Sequence, residues 1–112
     1  MHYKSLDVYK CSISFLAIAW QLIKSLPKGY GDLGDQLKRA SLSIPLNIGE
    51  GAGRRSEADS SKHYGISRGS AMECSAILDA AGILALGDAD EIAKGQELLV
   101  RIVSMLSKMC RP

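Results

Sequence analysis

Apolar side chains recur at alternating three- and four-residue spacing through most of this chain, a helical period that leaves little room for strands. The period runs through four segments, roughly residues 5–26, 32–53, 57–86 and 89–109. Between them lie Pro27, Gly29 and Gly31, then Gly53 ahead of Ser56 in N-cap position, then Gly87 followed by Asp88. Asp88 with Glu91 three residues on has capping-box spacing, in which acidic side chains serve the unpaired amides of the first turn. Connections this short join antiparallel neighbours. The expected fold is therefore all-α: an antiparallel up-down-up-down four-helix bundle, a single domain over residues 1–112.

Two of the segments are more apolar than one core requires. In the first, Leu6, Tyr9, Ile13, Leu16, Trp20 and Ile23 form one stripe, and Val8, Cys11, Phe15, Ile18 and Leu22 form another about 150° away at 100° per residue. In the last, apolar residues from Ile92 to Met109 cover more than half the circumference, opposite Lys94, Glu97, Arg101 and Lys108. One stripe per helix fills a bundle core, and the surplus needs another surface to cover it. A homo-oligomer is expected.

Fourteen Lys and Arg against twelve Asp and Glu give a formal charge of +2, too little for a basic nucleic-acid tail. The positive excess lies in the first two-thirds of the chain, densest at Lys38, Arg39, Arg54, Arg55, Lys62 and Arg68. Those residues form either a solvated face or a polyanion contact. Aromatic residues are only 5% of the chain, which favours backbone or shape recognition over a base-stacking platform. Three widely separated cysteines and two histidines support neither a disulfide framework nor a zinc site. Cys11 and Cys74 have apolar neighbours and suit a reduced, cytoplasmic protein. The amino terminus shows no signal peptide, and no segment approaches the ~18 apolar residues of a membrane span.

The stretch RASLSIPLNIGEGAGR, residues 39–54, raises the question of a phosphate loop. Its glycines, Gly49, Gly51 and Gly53, alternate without the Gly-Lys pair of a Walker A loop, and no strand precedes them as a dinucleotide fingerprint demands. A helix explains more. Leu33, Leu37, Ala40, Ile44 and Ile48 share one arc, Gln36, Ser43, Asn47, Glu50 and Arg54 share a polar arc beside it, and both stay in phase across Pro45. Proline removes one amide and crowds the carbonyl four residues back, so a bend is expected there. Ser43, Asn47, Glu50 and Arg54 are then a polar layer that either fixes helix register or holds a ligand. His63 beside Tyr64 reads as a surface or capping residue, and no paired carboxylates or positioned histidine point to catalysis.

From Gln36 to Arg54 and from His63 to Gly82 the chain resembles the four-helix bundle proteins encoded in 23S rRNA intervening sequences of bacteria. The motif L-R-R-A-x-x-S-I-P-x-N-I-A-E-G-x-x-R is met by Leu37, Arg39, Ala40, Ser43, Ile44, Pro45, Asn47, Ile48, Glu50, Gly51 and Arg54. A second pattern, an aromatic residue, then A-R-G-S and a Glu, is met by Tyr64, Arg68, Gly69, Ser70 and Glu73. Lys38 replaces the first arginine of the pair, Gly49 the usual alanine, and Ser67 the small residue before Arg68. The resemblance implies a ring-shaped homopentamer. It also implies likeness in fold to the accessory protein of diversity-generating retroelements, which binds nucleic acid and a reverse transcriptase.

These observations together describe a non-enzymatic, nucleic-acid-associated or accessory binding protein. It would contact structured RNA or a nucleic-acid-processing protein through Lys38, Arg39, Arg54, Arg55, Lys62 and Arg68, with no metal, cofactor, membrane or small-molecule substrate. The alternative is a structural or protein-interaction module whose basic residues only solubilise it. An enzyme using Glu50 as its base would need a closed pocket around that side chain.

Overall fold

In the computed structural model, which describes residues 1–110, four helices account for most of the chain. The final two positions of the expected domain lie outside the described residues. A short 3-10 turn, His2–Ser5, leads through extended Leu6 into α1, Asp7–Ser25. It is followed by α2, Gly31–Ala52, α3, Glu57–Ile83, and α4, Ala89–Met109. No strand occurs among the described residues. Each helix packs on its neighbours in sequence, and α1 also packs on α4, while α1 does not meet α3 and α2 does not meet α4.

The caps form where their residue types stand. The Ser56 hydroxyl accepts the Asp59 amide at 3.1 Å, and the Asp88 carboxylate accepts the Glu91 amide at 3.0 Å. Each supplies an acceptor that the first turn of a helix lacks. α2 runs unbroken through Pro45, so its apolar and polar arcs stay in phase. α3 stops at Ile83, short of the expected residue 86. There Ala85 turns left-handed (φ 56°), the Leu86 amide reaches back to the Ala81 carbonyl at 2.9 Å, and the Ala85 amide reaches that of Gly82 at 3.1 Å. This is a Schellman ending, and it drives the Leu86 side chain into the core.

Phe15 on α1, Leu37, Ile44 and Ile48 on α2, Leu78 on α3, and Leu99, Ile102 and Leu106 on α4 fill the centre with almost no exposure. Small residues set the spacing around them: a Cβ on Gly95 of α4 would lie 3.1 Å from Leu78 and 3.4 Å from both Ile18 and Phe15. Of the two stripes on α1, the one through Val8, Cys11 and Phe15 is the core stripe. The other leaves Ile13 42% and Trp20 47% exposed, beside Leu42 and Leu46 of α2. Met72 of α3 and Val100 of α4 are exposed on a different pair of helices. The apolar surplus inferred from periodicity is thus present on the surface, in two places.

Candidate nucleic-acid interface

The diagnostic stretch of α2 faces α3, and its polar arc divides into two separate groups. Asn47 donates through Nδ2 to the Ser43 carbonyl at 2.9 Å and to Ser43 Oγ at 3.0 Å. Across the helix boundary, Ser70 Oγ donates to Ser43 Oγ at 2.8 Å, and Asn47 Oδ1 lies 3.1 Å from His63 Nδ1. Ser67, fully buried, donates to the Ile44 carbonyl at 2.8 Å. Among the described residues no buried side-chain polar atom is left without a partner. Such a satisfied network fixes the register of α2 on α3. His63, expected at the surface or in a cap, is half-buried and belongs to this bridge.

Glu50 and Arg54 stand apart from it. Arg54 folds back on Glu50 with Nη2 2.8 Å from Oε2, and both side chains are about half exposed (44% and 58%, in that order). The four residues of the expected layer therefore serve two purposes. Ser43 and Asn47 join helices, while Glu50 and Arg54 pair in solvent. Glu50 also lacks the enclosure that a catalytic base would need.

The basic candidates do not form one patch. Lys38 and Arg39 sit two turns into α2, whereas Arg54 follows its end, about 24 Å away at 1.5 Å per residue. Arg39 pairs with Glu73 of α3 in a largely exposed ion pair, a contact of little energetic weight. Lys38 instead faces α1, beside Trp20 and Leu42.

The α2–α3 turn carries the remaining cations. Its geometry is set by Gly53, whose amide closes α2 onto the Gly49 and Glu50 carbonyls at 3.2 Å. Ser60 then donates to the Gly51 carbonyl at 2.7 Å, and Ser61 donates to the Cys110 carbonyl, which ties the start of α3 to the end of α4. A Cβ on Gly51 would come within 2.6 Å of the Tyr64 ring, so only glycine lets α2 approach α3 this closely. On this frame Arg55 and Lys62 are exposed and, among the described residues, paired with no carboxylate. Arg68 donates through Nε to Ser107 Oγ of α4 at 2.7 Å. Lys108 follows that serine and is exposed. Glu57 and Asp59 also lie near the turn, in the first turn of α3 where its unpaired amides favour them.

The model of the 23S rRNA-intervening sequence protein family matches residues 4–108. The chain belongs to that family. No curated protein matches the sequence. The family match covers α1 to α3 and all but the last residue of α4, so the α2–α3 packing and the basic turn both lie inside the shared region.

Proposed function

We propose that this intervening-sequence protein is a non-enzymatic RNA-associated binding protein whose contact surface is the α2–α3 turn with Arg54, Arg55, Lys62 and Arg68. The observation that carries this reading is the pair of exposed cations Arg55 and Lys62, which have no carboxylate partner among the described residues and sit on a turn fixed by Ser60 and Gly53, beside Arg54 paired with Glu50 and half-buried Arg68 bonded to Ser107. The family's name, which refers to 23S rRNA intervening sequences, supports RNA as the polyanion. Recognition at this turn runs through phosphates and shape, since the nearby rings of Tyr64, packed against Gly51, and Tyr3, beside Gly49, are half-buried.

The working form is a homopentameric ring of antiparallel up-down-up-down bundles. Cross-helix bonds support the antiparallel order: the start of α3 meets the end of α2 through Ser60 and Gly51, while Ser70 meets Ser43 further back. Two apolar faces support self-association. One is centred on Ile13, Leu16 and Leu46 of α1 and α2; the other, a depression of about 360 Å³, lies between α3 and α4 at Met72, Val100 and Val103. The faces share no helix, so a two-fold dimer through either would leave the other bare. Head-to-tail contact covers both, and it closes into a ring when the rotation from copy to copy divides a full turn. Five copies of a +2 chain carry about +10 and present the basic turn by symmetry, which strengthens a weak contact through avidity.

The test is the triple variant Arg54→Gln, Arg55→Gln, Lys62→Gln, titrated with a structured RNA hairpin. Loss of binding with the oligomer intact is expected. Undiminished binding would return the protein to the alternative of an interaction module with incidental surface charge.

A further inference from the structure

Trp20 is the chain's single tryptophan and stands 47% exposed near the end of α1. Lys24, one turn on, places Nζ 5.9 Å from the indole centroid. Two depressions meet at this side chain. One, of about 200 Å³, is walled by Leu16, Ile23, Leu42 and Lys38. The other, of about 390 Å³, opens over the α1–α2 turn and is edged by Lys28, Lys38, Tyr30 and Asp35. Among the described residues none of the three lysines is paired with a carboxylate, and Asp35 is the one acidic side chain lining either depression.

Such a combination differs from the rest of the exposed apolar surface of α1 and α2. The depression around Ile13 and Leu46 has no lysine or arginine in its lining, as suits a face covered by another subunit. Lysines are depleted at the centre of subunit interfaces, so the Trp20 end belongs at the rim of such a face, open to solvent. An exposed indole flanked by unpaired ammonium groups matches a flat aromatic ring carried on an anionic chain. Nucleic-acid bases stack on aromatic side chains, and their phosphates pair with lysine.

We infer that the Trp20 depression binds single-stranded nucleic acid, with one unpaired base stacked on the indole and the flanking phosphates held by Lys24, Lys28 and Lys38. Lys38, stranded about 24 Å along α2 from the basic turn, acquires a role here instead. The inference extends nucleic-acid binding to a second site, and it involves none of the residues at the α2–α3 turn.

Because the chain has one tryptophan, its fluorescence reports this site alone. Titrating the full-length protein with a short single-stranded oligoadenylate is expected to quench that fluorescence saturably, while a fully paired duplex of equal length leaves it unchanged. The variant Lys24→Gln, Lys28→Gln, Lys38→Gln keeps the reporter and should weaken quenching about tenfold at low salt. Trp20→Leu, read by anisotropy of a labelled oligonucleotide, should weaken binding by a similar factor. The Arg54, Arg55 and Lys62 triple variant should quench like the parent protein, which separates this site from the turn. The inference is overturned by unchanged fluorescence under saturating oligonucleotide or by equal quenching with polyglutamate. A concentration-dependent fluorescence shift without any nucleic acid would equally overturn it, since a second copy of the chain would then cover Trp20.

Discussion

Gly51 shows how much one missing methyl can decide. Alanine there would gain about 1 kcal/mol in helix propensity, yet its Cβ would lie 2.6–3.0 Å from three atoms of a half-buried tyrosine ring. Overpacking of that kind costs about 1–3 kcal/mol, so Gly51→Ala is expected to lower the thermal midpoint. Gly65, in the middle of α3 with nothing within 4 Å of an added Cβ, should respond in the opposite sense. Gly65→Ala is expected to stabilise by about 0.5–1 kcal/mol. Two rising midpoints would mean that the Tyr64 contact is soft. Cys74 supplies a pH dependence. Burial, reinforced by the Glu73 carboxylate and opposed by Arg39, pushes its thiol from 9.0 up to about 12. The unfolded chain releases that proton near 9 while the native state keeps it, so native stability falls as pH rises from about 9 toward 12. Tyr64, also raised by burial, acts in the same direction above 10.0. Urea midpoints across that range should fall less steeply in Cys74→Ala than in the parent protein.

At the scale of the helix, the elements were legible wherever a local signal fixed them. Ser56 and Asp88 mark the starts of α3 and α4, the 3.6-residue period marks the helix bodies, and phase continuity across Pro45 identifies α2 as one helix. The end of α3 was not legible, because its left-handed residue is Ala85 and not the glycine that usually signals such a turn. An alanine in that conformation is disfavoured, so Ala85→Gly should raise stability by about 0.5–1 kcal/mol, measurable by denaturant unfolding. The site was legible in part for a similar reason. Asn47 and Ser43 stand out on their own helix, but their partners His63 and Ser70 are distant in sequence and meet them only through packing. Lys38 and Arg54 look like one group along the sequence and are separated by most of a helix in space. Trp20 looked like one more member of an apolar stripe until the lysines around it were in place.

At the scale of the whole molecule, two apolar faces and a basic turn lie on one chain of the 23S rRNA-intervening sequence protein family. Val100 is 70% exposed, so Val100→Glu should leave each chain folded while placing a charge in the expected subunit contact. Dissociation to monomers that keep the parent helical content is the expected outcome. The most direct test of the central claim is sedimentation velocity with a fluorescently labelled RNA hairpin, which reads assembly and binding together. The protein alone should sediment as an oligomer near five chains and carry the hairpin with it at about 50 mM salt. Near 300 mM the hairpin should be released as counterions compete for its phosphates. A monomer that leaves the hairpin at its free sedimentation rate at low salt would contradict that claim.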